Sequence, residues 1–113
     1  MNIRKPTDYT AMFAALDAAV ATQLPQMELY REIGRVVSGR SEKGAAVAAS
    51  EYLQAAYPAA EGFSPRNVRR MRAFYAIYEE SPEIMRQAMN LVWTQNVAIL
   101  ERCGSSEERA WYI

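Results

Sequence analysis

The chain of 113 residues carries 13 basic and 13 acidic side chains, no histidine and one cysteine, and half of it is apolar. That size and apolar content suit a single domain over residues 1–113 and argue against disorder. Without histidine there is no imidazole base and no His metal ligand, and the lone Cys103 makes neither an intrachain disulfide nor a thiolate metal site. No cofactor or metal is therefore expected, and a cytoplasmic, reducing setting is.

No apolar run approaches the roughly 20 residues that span a bilayer. Arg4 and Lys5 precede an apolar stretch from Ala11, and Ala19-Val20-Ala21 has the small-x-small look of a signal cleavage site. Asp17 interrupts that stretch, Asp8 lies between it and the basic pair, and helical periodicity runs through it, so it reads as a first helix. Thr7 and Asp8 cap it, it runs to about Thr22, and Phe13, Leu16 and Val20 share one face.

Pro25 opens a second helix with the stripe Leu29, Ile33, Val36 and Val37, ending near Gly39. Gly34 inside it costs about 1 kcal/mol against alanine, which close backbone packing explains. An alanine-rich third helix is expected over 42–57, with Ala45, Ala49, Tyr52, Leu53 and Ala56 on one side and Pro58 as its stop. After a turn containing Gly62 and Phe63, Ser64-Pro65 starts a fourth helix with a capping hydroxyl and a proline at the first helical position. The same device at Ser81-Pro82 starts a fifth, to about Met89. Leu91-Val92-Trp93 reads as a brief extended piece, Thr94 as the cap of a helix through Cys103, and Ser105 with Glu108 as the capping box of one more. The expected fold is all-α, a compact multi-helix domain with a helix-turn-helix-like core and at most a rudimentary strand at 91–93.

Net neutrality conceals segregation of charge. Residues 64–78 hold Arg66, Arg69, Arg70 and Arg72 and no acid. At 100° per residue Arg66, Arg69 and Arg70 share a front, with Arg72 at its border and Ala73 and Ala76 between, while Val68, Met71, Phe74, Tyr75 and Tyr78 form an apolar back. A flat arginine front suits a major groove, where guanidinium forks meet phosphates and guanine edges, and N–H groups near Ser64 can receive a phosphate. The competing reading is a solvated face, or one paired with acids such as Glu79 and Glu80.

The blocks Leu29-Tyr30-Arg31-Glu32-Ile33-Gly34, Gly62-Phe63-Ser64-Pro65-Arg66-Asn67-Val68 with Met71-Arg72-Ala73-Phe74-Tyr75, Leu91-Val92-Trp93-Thr94-Gln95-Asn96 and Glu108-Arg109-Ala110-Trp111-Tyr112 stand in that order. They resemble LYxEIG, GFSxRNLxxMRxFY, LxWxHN and EERxFY of the N-terminal domain of YhcG-like proteins, across nearly the whole chain. The resemblance implies a helix-turn-helix-like domain that usually precedes a PD-(D/E)XK nuclease. It marks Gly34, Gly62, Phe63, Asn67, Phe74 and Trp93 as structural. By the wheel Asn67 lies towards the apolar side, so it is expected to hydrogen-bond across the turn rather than read a base. Gln95 stands where the family often has histidine. The nuclease signature itself is missing: both aspartates lie in the first 17 residues, and neither Lys5 nor Lys43 follows an acid two positions earlier.

The expectation is a non-catalytic module, not an enzyme, that docks a nuclease domain or subunit onto duplex DNA through Ser64, Arg66, Arg69, Arg70 and Arg72. The rival is a protein-interaction module, a homo-oligomer or a clamp on a partner subunit, suggested by the aromatic residues Trp111 and Tyr112 and by the methionines. A third reading is a stand-alone repressor.

Overall fold

The computed structural model describes residues 8–102. Six helices follow one another there: α1 Thr10–Ala21, α2 Gln26–Ser38, α3 Gly44–Ala56, α4 Pro65–Tyr78, α5 Pro82–Ala88 and α6 Trp93–Arg102. The described residues contain no strand, so the domain is all-α. None of these helices is long and apolar enough to cross a membrane. Thr7, Cys103 and the helix expected from Ser105 lie outside the described residues.

The extended piece expected at 91–93 is a correction. Asn90 and Leu91 turn the chain by donating to the carbonyls of Gln87 and Ala88, and Trp93 is already helical. The Val92 N–H donates to the Gln95 Oε1 at 3.1 Å, so a side chain three positions on closes the helix start that Thr94 was expected to cap. Ser81 also departs from expectation, since its hydroxyl makes no cap hydrogen bond. Ser64 does cap, its Oγ accepting the Asn67 N–H at 3.2 Å, with Pro65 in the first helical turn.

Helix α4 is the centre of the molecule, packed mainly on α2 and also on α3. Its back buries Val68, Met71, Phe74 and Tyr78 against Leu16, Ile33, Val37, Ala45, Ala49 and Leu53. Gly34 lets α2 and α4 meet at backbone distance: a Cβ there would overlap the Met71 carbonyl oxygen and lie 2.8 Å from its carbon. Trp93 joins α6 to this core, edge-on to Tyr30 at 5.0 Å and to Phe74 at 5.8 Å. On the other side Phe13 of α1 stacks on Tyr52 of α3 at 4.2 Å.

The connection between α3 and α4 spans residues 57–64. A helix-turn-helix turn has about three or four residues, so the short turn expected before α4 is a correction: the connection is about twice that length. The length is occupied by a structured loop. Gly62 adopts φ +89°, and a Cβ there would collide with the Tyr30 hydroxyl, so both backbone conformation and space call for glycine. Phe63 is buried, and its carbonyl accepts the hydroxyl of the fully buried Ser50 at 2.6 Å.

Candidate nucleic-acid interface

The first turn of α4 is fixed from three sides. The Asn67 Nδ2 donates to the Gly62 carbonyl at 2.7 Å, and its Oδ1 accepts the Trp93 indole N–H at 2.8 Å. One amide thus ties the loop before α4, α4 itself and the start of α6, with its donor and acceptor groups turned inward rather than towards a ligand.

The four arginines do not share one fate. Arg66 has a side chain 77% exposed, and Arg69 is exposed with no ion pair among the described residues. Arg70 is half-buried and its Nη2 bonds the Oε1 of Glu101 on α6. The same carboxylate oxygen lies 4.0 Å from the Arg66 Nη2. Arg72 turns the other way: its Nη1 donates to the Glu42 carbonyl at 3.0 Å and its Nη2 to the Arg40 carbonyl, so the fork secures the chain between α2 and α3. Ala73 and Ala76 are exposed, leaving the outer side of α4 free of bulk at those positions.

The acids that sequence spacing offered as partners, Glu79 and Glu80, form no ion pair among the described residues. Glu101 and the two backbone carbonyls lie about thirty residues from their arginines in the chain, beyond any helical-spacing argument. Ser64 is exposed, but its hydroxyl is committed to the cap.

Elsewhere a polar cluster joins α1 to the end of α3. The Asp17 carboxylate accepts the Tyr52 hydroxyl at 2.5 Å and the Tyr57 hydroxyl at 2.7 Å. These hydrogen bonds, that from Tyr52 foremost, hold its pKa below the usual carboxylate value. Among the described residues no three histidine, cysteine or acidic side chains gather where a metal ion could sit.

No curated protein and no solved structure matches the chain. Residues 12–113 match the DUF1016 N-terminal domain, in accord with the four sequence blocks and covering every helix from the first turn of α1 onward. The chain belongs to the DUF1016 N-terminal domain family.

Proposed function

We propose that this domain binds duplex DNA, without catalysing a reaction, through the outer side of α4, with Arg66, Arg69 and Arg70 meeting backbone phosphates. The observation that carries the reading is the division of α4 into an apolar back, where Val68, Met71, Phe74 and Tyr78 are buried and Tyr75 is half-buried, and an outer side where Arg66 and Arg69 stand exposed beside Ala73 and Ala76. One guanidinium unpaired among the described residues, that of Arg69, and two that share the surface carboxylate of Glu101 predict a modest monomeric affinity, with a slope of log affinity on log salt of about −2 to −3. Useful affinity then comes from attachment to a second module, for which a nuclease domain or subunit is the candidate that the family blocks suggest. The interaction-module reading has less behind it here: the large apolar side chains left exposed among the described residues are Ile77 on α4 and Val92 ahead of α6.

Arg69→Glu tests the reading. It should weaken binding of a fluorescent duplex at least several-fold at low salt and make the salt slope shallower by about 1 or more, with the helical circular dichroism unchanged. A folded variant with undiminished affinity would show that α4 is not the contact surface.

A further inference from the structure

We propose that Arg66 and Arg70 form one subsite for a backbone phosphate, and that Glu101 fills it until nucleic acid displaces the carboxylate. The proposal rests on the DNA-binding reading above and concerns how that surface is held before it is used.

Two observations carry it. First, a single oxygen, the Glu101 Oε1, bonds the Arg70 guanidinium and stands 4.0 Å from that of Arg66. An oxyanion between two guanidiniums one helical turn apart is the arrangement that a phosphate oxygen takes on a basic helix, so the carboxylate marks where the phosphate goes. Second, the contact is displaceable. The Glu101 side chain is 50% exposed and those of Arg66 and Arg70 are 77% and 27% exposed, so solvent screens the pair and the carboxylate can rotate off into water without being buried unpaired.

The helix that carries Glu101 is anchored elsewhere. Trp93, at the other end of α6, is buried against Tyr30 and Phe74 and bonded to Asn67. Release of Glu101 therefore leaves α6 seated. A carboxylate at this place lowers the affinity for any phosphodiester by competition, and the penalty is greatest at low salt, where both charge pairs are least screened.

The test compares the full chain with Glu101→Gln and with Glu80→Gln. Glu80 follows the far end of α4, roughly 20 Å along the axis from Arg66 and so about two Debye lengths away at 0.1 M salt. Affinity for a short fluorescent duplex is measured across a salt series. Glu101→Gln should bind two- to five-fold more tightly at low salt, with the salt slope steeper by up to about 1 because no displaced carboxylate is left to take up a cation as the phosphate binds. Glu80→Gln should match the parent chain at about 0.1 M salt and gain less than Glu101→Gln at low salt, where screening is weaker. Trp93 emission, read with Trp111→Phe in every chain compared, and the thermal midpoint report whether α6 stays docked.

Equal gains in both variants would reduce the effect to net charge and overturn the subsite. So would unchanged affinity in Glu101→Gln while Arg69→Glu still weakens binding, an outcome that leaves the DNA-binding reading standing. Loss of α6 docking in Glu101→Gln would make the pair a structural tie and also overturn it. Failure of every variant and of the parent to bind duplex would remove the reading and the proposal together.

Discussion

Replacing one hydrogen of Gly34 by a methyl group sets two effects against each other. Helix propensity favours alanine by about 1 kcal/mol inside an α-helix. Against that, the methyl would overlap the backbone carbonyl of Met71 and come within 3.1 Å of the Tyr75 Cβ, and neither group can rotate away as a flexible side-chain tip would. Overpacking a core against backbone costs about 1–3 kcal/mol, and here the upper part of that range applies. Gly34→Ala should therefore lower stability by about 1–2 kcal/mol net, seen as a lower urea midpoint with the slope preserved. A raised midpoint would mean that α2 and α4 separate more cheaply than the geometry indicates. The need for a small residue was legible in the sequence, because an unforced glycine inside a helix asks for a reason. Its partner was not, since Met71 lies on a different helix. Asn67 divides similarly: its angular position pointed inward and its reach across the turn could be anticipated, whereas the indole of Trp93 as the second partner depends on where α6 lands.

At the scale of elements, stop and start residues placed six helices to within a few positions, and tertiary contacts decided the places where they did not. Leu91-Val92-Trp93 looks extended because it is short and apolar, yet the burial of Trp93 and the backward reach of Gln95 make it a helix start. The two Ser-Pro pairs are indistinguishable as sequence, and only Ser64 forms the cap. Helix α1 illustrates attachment through polarity. Its charged residue inside an apolar stretch, Asp17, receives the hydroxyls of Tyr52 and Tyr57, so the group that breaks the apolar pattern also fastens α1 to α3. Because these bonds favour the ionised form, the folded-state pKa lies below the unfolded value of about 4. The resulting stability is present at neutral pH, begins to decline as pH drops below about 4, and is lost as pH falls through the folded-state pKa. Asp17→Asn should melt below the parent at pH 7, and the difference between their thermal midpoints should shrink through that acid window. A constant gap across it would assign the effect to shape rather than charge.

Over the whole molecule, the arginines of α4 read as one patch in the sequence and as two devices in the fold. Periodicity identifies which side of a helix they occupy, but it cannot say which neighbour meets the edge of that side, and Arg72 sits at the edge. There the connection between α2 and α3 presents two carbonyls to its fork, while Arg66 and Arg69 face outward. Stability and surface charge are thereby separable within a single helix. Arg72→Lys keeps the positive charge and removes the planar fork, so it can satisfy one carbonyl at most in the same geometry. It should cost about 1–2 kcal/mol in denaturant unfolding, in the range of one charge-assisted hydrogen bond at a part-buried site, and leave the salt slope of duplex binding where it was. Arg69→Glu should do the reverse, holding the unfolding free energy within about 0.5 kcal/mol, as an exposed site does, while flattening the slope. If Arg72→Lys changed the slope and spared stability, the fork would belong to the nucleic-acid surface and the division between the two devices would have to be redrawn.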